Sequence, residues 1–344
     1  MTTPQVAPAI LREYGRIAGL ELAKYLQLHV SRGSEYLREA VREYPSRGGR
    51  ALRPALCIAA ARAFGASTQD AVNSAVAIEL MHNAFLVHDD IEDASEERRG
   101  HPTLHKLHGV PVAINVGDAL SVLSLRPLLE NQKRLGTRVA LRILEEAEQV
   151  ARETVEGQAI ELGWRSRNTV DLGEGDYLRM VLKKTCWYTT ILPIRLGALI
   201  ATRDTVDLRR FVPFGFFVGA AFQIQDDVLN LIGEHKQYGK EVNGDLWEGK
   251  RTLMIVHLLN QTSGREREAL EAFLALERKD REPRQVQWVR RLMDSYASIE
   301  YGCQVAHGLA GAAQREFQRN FRGLSETRDL RFLGELPAWV IART

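Results

Sequence analysis

The sequence predicts an all-α protein of ten or more helices, on three observations. Apolar side chains recur at three- and four-residue spacing over most of the chain. No run alternates β-branched and polar residues as a half-buried strand does. Punctuation is sparse, since the 344 residues include only 11 Pro and the 27 Gly are scattered.

Taken in order, the first helix covers residues 10–30, where Ile10, Leu11, Tyr14, Ile17 and Leu20 carry the period. A turn at Ser46–Gly49 precedes the helical pattern Leu52–Phe64, and Pro54 suits a first helical turn. Ala71–Asp93 contains the strongly apolar run AVAIELMHNAFLVH and ends in acids. Turn signals follow at Glu97–Pro102. Val139–Gly163, Tyr177–Thr202 and Leu208–Gly233 are next, then a turn-rich stretch, Gly233–Gly249. Thr252–Asn260 and Arg265–Glu277 lead to a break at Glu282–Pro283. Gln285–Phe321 and Leu330–Ile341 complete the pattern. No linker rich in Gly, Ser or Pro divides the chain, so residues 1–344 read as a single domain.

Composition narrows the function. Hydrophobic residues make up 45% and charged residues 26%, as in soluble globular proteins. The net charge of +2 argues against a nucleic-acid binder, which carries a basic excess. Cys57, Cys186 and Cys303 are far apart with no CxxC, which suits free thiols in a reducing compartment. The N-terminus lacks a basic start followed by an apolar run, and no transmembrane stretch of ~18 uncharged apolar residues is expected. The expectation is a cytoplasmic protein.

The near-neutral total hides segregation. DDIEDASEERR, residues 89–99, ends the apolar helix. Such a run alone reads as a solvated face. Here Asp89 and Asp93, four apart, share a helix face, and their repulsion calls for a cation. Hard, oxygen-only ligands suit Mg²⁺, which leans on substrate phosphates. His82 lies seven before Asp89 and projects on the same side. A second acidic pair, Asp226 and Asp227 in FQIQDDVLN, ends another apolar helix, with Gln223 one turn before. Basic groups gather in separate short stretches: Arg50 and Arg53, Lys183 and Lys184, Lys240 and Lys250. Metal-binding acids with several basic patches point to a polyanionic substrate, two diphosphates.

Together these motifs resemble the trans-isoprenyl diphosphate synthase (polyprenyl synthetase) family. The resemblance rests on GGRALRP (48–54), HNAFLVHDDIEDASEERRGHPTLHKLHG (82–109), KKT (183–185), FQIQDDVLN (222–230) and GKEVNGDLWEGKRT (239–252). It implies a single large helical bundle around a deep central cavity, usually a homodimer, that condenses isopentenyl diphosphate with an allylic diphosphate (dimethylallyl, geranyl or farnesyl). Three Mg²⁺ are implied, two on Asp89 and Asp93 and a third on Asp226, with Asp90 and Asp227 acting through water or holding neighbours. Arg98, Lys184 and Lys240 would grip the allylic diphosphate, with Lys250 nearby. Arg50, Arg53, His82 and Arg99 would bind isopentenyl diphosphate, and Thr185 and Gln223 would place oxygens beside the developing cation. Ionisation would proceed by electrostatic stabilisation without a protein nucleophile.

Two positions depart from the family pattern. Asn230 ends the second motif where an Asp is usual, and Ala51 stands beside Arg50 where many relatives carry a base. Product length is implied by the residues before the first motif, where bulky aromatics four and five positions earlier stop growth at farnesyl. Here they are Phe85 and Ala84, with Met81 a turn deeper. Ala84 favours geranylgeranyl diphosphate, with farnesyl and longer products as alternatives. A class I terpene cyclase-like enzyme and a non-catalytic partner subunit are the competing functions. Residues 261–344 carry no chemistry that the sequence names.

Overall fold

The structure, a computed structural model, describes residues 5–30, 34–233 and 241–343. The first four helices are α1 (Ala7–His29), α2 (Glu35–Ser46), α3 (Leu52–Ala63) and α4 (Thr68–Glu92). Next come α5 (Leu104–His108), α6 (Val110–Glu130), α7 (Gln132–Leu135) and α8 (Thr137–Ser166). Helix α9 (Glu174–Val181) runs through a π-helical segment, Leu182–Ile191, into α10 (Leu192–Thr202). The rest comprises α11 (Val212–Ile232), α12 (Gly244–Glu248), α13 (Leu253–Gln261), α14 (Gly264–Ala275), α15 (Pro283–Ser295), α16 (Ser298–Asn320) and α17 (Arg328–Ile341). Among the described residues, extended structure is confined to a two-residue antiparallel pairing, Glu97–Arg98 with His101–Pro102. The all-α expectation holds.

Helix α4 runs through the middle of the bundle. Ser67 starts it with a reciprocal cap, accepting from the Asp70 N–H while Asp70 accepts from the Ser67 N–H at 3.0 Å. Its apolar residues are buried nearly all round, as a central helix requires. Helix α3 packs closely on α10 at Gly197, where an added Cβ would lie 2.5 Å from Ala60 Cβ and 2.6 Å from the Ala61 nitrogen. Large side chains such as Phe214 and Phe332, both 0% exposed, each contribute about 2 kcal/mol of apolar burial.

The chain ends are stitched together. Glu335 on α17 accepts from the Val6 and Ala7 N–H groups at 2.8 and 3.0 Å, satisfying orphan donors at the start of α1. Asp329, also on α17, takes a hydrogen bond from Tyr14 and one from Arg62 Nε at 3.1 Å. These contacts fix the end of the chain against α1 and α3.

Three features differ from the sequence reading. The pattern Gln285–Phe321 is two helices, because Ala297 takes φ +52° between α15 and α16. Helix α2 was not read as a helix, although Ala40, Val41 and Tyr44 bury one face of it. Helix α6 was missed because it is apolar on two faces. Ala113, Val116 and Leu120 pack inward, while Val110, Ile114, Val122, Leu125 and Leu129 are exposed. By length and composition alone, Val110–Leu135, 26 residues, is long and apolar enough to cross a membrane. Its inner face packs along α4 within the bundle.

Candidate active site

A cavity of about 700 Å³ opens between α4, α8, the π-helical segment and α11. The acidic end of α4 supplies its first group. Asp89 lines the cavity and accepts from Lys184 Nζ at 3.1 Å and Gln158 Nε2 at 3.3 Å. Burial alone would raise its carboxyl, but Lys184, Lys250 and Arg98 outweigh that and hold it well below the carboxylate range. Asp93, one turn on, is 1% exposed and pairs with Arg165 and with Lys250 Nζ at 2.6 Å. Asp90 does not face the cavity. It is fully buried, accepting from Tyr44 and from Arg98 Nε at 2.9 Å, so it orients Arg98 and is not presented to a metal.

Helix α8 brings residues the sequence reading did not name. Gln158, Glu161 and Arg165 share one face of it, at helical spacing with Thr154. Carboxylate oxygens of Asp89, Asp93 and Glu161 lie within 4.8 Å of one another. An all-oxygen cluster of this size, ringed by Lys184, Lys250 and Arg165, suits a hard divalent cation, so the residues present fit the implied Mg²⁺. The available signal was the polar stripe 154, 158, 161, 165 at helical spacing along α8.

The π-helical segment presents Lys184, Thr185 and Tyr188 to the cavity. Extended π-helical runs are rare and appear mostly at functional sites. Two glycines make room for this one. A Cβ at Gly157 would lie 2.2 Å from the Lys184 backbone nitrogen, and one at Gly219 would lie 2.6 Å from Thr190 Oγ1. Burial would lower the Lys184 ammonium, yet Asp89 and Glu161 hold it above its ordinary value.

The second acidic motif closes the opposite wall from α11. Asp226 lines the cavity and pairs at 2.9 Å with Arg343. Asp227 accepts from Tyr177 Oη at 2.8 Å and Gln223 Nε2 at 2.7 Å. Burial, then the neighbouring Asp245, pushes its carboxyl well above the ordinary range. Thr185 donates to Gln223 Oε1 at 3.0 Å. Asn230 is 2% exposed and points away, its Oδ1 accepting from the Asp245 N–H at 3.0 Å, so it ties α11 to the start of α12. Lys250 reaches Glu248 at 2.8 Å as well as Asp93, and Asp245 joins the cavity lining. Lys240 lies outside the described residues.

A basic group lines another part of the wall. Arg50, Arg53, His82 and Arg99 all line it. Arg53 donates to Tyr188 Oη at 3.0 Å and Thr189 Oγ1 at 2.9 Å, and its guanidinium lies 4.5 Å from the Tyr188 ring centroid. Arg53 Nη1 is 3.2 Å from His82 Nε2. Guanidinium only donates, so Nε2 accepts and the His82 proton sits on Nδ1, which has no partner. Burial, then Arg53 and Arg99, lower the His82 pKa well below its ordinary value and keep the ring neutral. Ala51 takes φ +49° at the start of α3 and is not part of the lining.

The apolar wall corrects the reading of chain length. Phe85, Leu86, Val155 and Phe222 line the cavity, and Phe85 stands edge-on to Tyr188 with centroids 5.4 Å apart. Ala84 is fully buried in a cluster with Leu80, Val87, Val116 and Leu120, and neither it nor Met81 reaches the cavity. A second correction concerns residues 261–344, which deliver Arg343 to the cavity.

An all-helical bundle whose cavity joins two acidic helix ends, a buried all-oxygen cluster and a separate basic group defines an enzyme built for diphosphate esters. Comparison with known proteins makes this specific. Residues 34–293 match the polyprenyl synthetase family. A short chain isoprenyl diphosphate synthase of Methanothermobacter thermautotrophicus is 30% identical, with 97% of this chain and 98% of that protein covered. A geranylgeranyl pyrophosphate synthase of Geoglobus acetivorans is 32% identical over 90% of this chain and 91% of its own. The crystal structure of geranylgeranyl pyrophosphate synthetase from Pyrococcus horikoshii superposes with a TM-score of 0.84 at 30% identity, covering 98% of this chain and 99% of that one. The chain belongs to the polyprenyl synthetase family and is a trans-prenyltransferase.

Proposed function

We propose that the enzyme condenses isopentenyl diphosphate with an allylic diphosphate and releases geranylgeranyl diphosphate. The observation that carries the reading is the single cavity in which the Asp89–Asp93–Glu161 cluster and the Arg53–His82–Arg99 group are both present, with an apolar wall. Divalent metal held by Asp89, Asp93 and Asp226, three Mg²⁺ in the family pattern, supplies the positive charge that makes the allylic diphosphate a leaving group. Lys184, Lys250 and Arg98 add fixed charge at the same end. Thr185 Oγ1 donates its hydrogen bond to Gln223 Oε1, so its oxygen lone pairs can face a developing allylic cation. Arg50, Arg53, Arg99 and the Nδ1–H of neutral His82 bind the second diphosphate and hold its double bond near that cation.

The C20 product is supported by the names of the relatives above and no longer by Ala84. We also read residues 1–344 as one domain, because α17 is tied to α1 and α3. The exposed apolar face of α6 supports a homodimer, with a second copy covering it. Three free cysteines support a reducing, cytoplasmic setting.

The test is incubation of purified protein with Mg²⁺, isotope-labelled isopentenyl diphosphate and each allylic primer in turn, followed by chromatography of the dephosphorylated products. Geranylgeraniol is expected. Mainly farnesol overturns the product assignment. No incorporation overturns the synthase reading, and cyclic hydrocarbon from primer alone favours a cyclase.

A further inference from the structure

The far end of the chain enters the catalytic cavity. Helix α17 stops at Ile341, and two residues later Arg343 lines the same wall as Asp226. Its Nη2 donates to Asp226 Oδ1 at 2.9 Å, and its guanidinium carbon lies 4.1 Å from the Phe222 ring centroid. Gln225 Nε2 donates to the Arg343 carbonyl at 3.2 Å, so backbone and side chain are both held by α11. The side chain is 6% exposed, yet Nε and Nη1 find no acceptor. A buried guanidinium with two unpaired nitrogens is costly, and an anion bearing several oxygens would satisfy both.

We propose that Arg343 is an exchangeable counter-charge of the second acidic motif. It neutralises Asp226 until a divalent cation takes that carboxylate, and then passes to diphosphate oxygens in the cavity. The inference rests on the functional reading above, which makes Asp226 a metal ligand. Its consequence is competition. Without substrate, metal entering at Asp226 must displace a guanidinium that has nowhere better to go. A diphosphate offers Arg343 a replacement acceptor, so metal and diphosphate binding reinforce each other through the last residues of the chain. The contacts of α17 with α1 and α3 anchor the helix, so the exchange is confined to Ala342 and Arg343 beyond it.

The experiment is Mn²⁺ binding to the full-length protein without substrate, followed by electron paramagnetic resonance of the free ion. Arg343→Gln is expected to tighten the Asp226-dependent Mn²⁺ about tenfold, within the usual range of coupling between two sites. Arg343→Lys keeps the charge and is expected to stay near the parent. Asp226→Asn should remove one Mn²⁺ in either background. If Asp226→Asn removes one ion but Arg343→Gln leaves the affinity unchanged or weaker, the inference is overturned and the metal reading stands. If Asp226→Asn removes none, the metal reading itself fails and takes the inference with it. Should Arg343→Gln fold poorly, hydrogen exchange of residues 338–343 in the parent gives the same answer. Mn²⁺ alone should speed exchange there, and unchanged exchange contradicts the proposal.

Discussion

Phe85 and Ala84 are neighbours on α4, but only Phe85 reaches the cavity, where its ring stands edge-on to Tyr188. An aromatic ring there limits the room for a growing chain, so Phe85→Ala should lengthen the product by at least one isoprene unit, as chromatography of dephosphorylated products will show. Glu248 carries a second residue-scale prediction. Burial lifts its carboxyl from 4.5 to about 7; Lys250 pulls it down, while Asp93 and Asp245 add to the rise. A raised acid contributes stability that is full below its unfolded pKa and lost as pH rises through the folded one. Glu248→Gln should therefore gain stability over the parent as pH climbs from 4.5 to 7, measured by urea unfolding in metal-free buffer. A constant difference across that window would contradict the shift. At this scale the motif residues were legible in the sequence because charge at helical spacing is a local signal. Glu161 and Arg343 were not, because each is brought to the cavity from outside the motifs by packing.

At the scale of elements, the π-helical segment decides where Lys184, Thr185 and Tyr188 stand. Sequence periodicity placed a helix over Tyr177–Thr202 but could not show its middle widened to π geometry, since that depends on Gly157 and Gly219 across the interface. Gly157→Ala puts a Cβ 2.2 Å from the Lys184 nitrogen and must push α8 away. The expected cost is about 1–3 kcal/mol of stability. Because Glu161 on α8 pairs with Lys184, kcat should fall further than the loss of folded protein explains. Thermal unfolding and steady-state kinetics on the same preparation separate the two effects. Helix α6 shows the limit from the other side. Its outer face carries Val110, Ile114, Val122, Leu125 and Leu129 among few polar residues, which weakened the period in the sequence while leaving a surface that asks for a partner.

For the whole molecule, the near-zero net charge is the sum of opposed clusters turned toward one cavity. Arg98, Lys184, Lys250 and Arg343 each hold a carboxylate of the two acidic motifs or their neighbours. The same scale includes assembly. Val122 and Leu129 on α6 are 68% and 51% exposed, so Val122→Asp with Leu129→Asp should convert a dimer to monomer in sedimentation velocity without unfolding it. A chain already monomeric before substitution would contradict the proposed homodimer.

The central claim is that two acidic helix ends act together on one leaving diphosphate through divalent metal. Its most direct test is the rate of labelled isopentenyl diphosphate incorporation, with Mg²⁺ and after chelation, in the parent, Asp89→Asn and Asp226→Asn. The account predicts loss of incorporation on chelation, recovery when Mg²⁺ is restored, and a fall of at least about 10²-fold in either variant. Undiminished incorporation by the chelated parent, or by either variant, would contradict it.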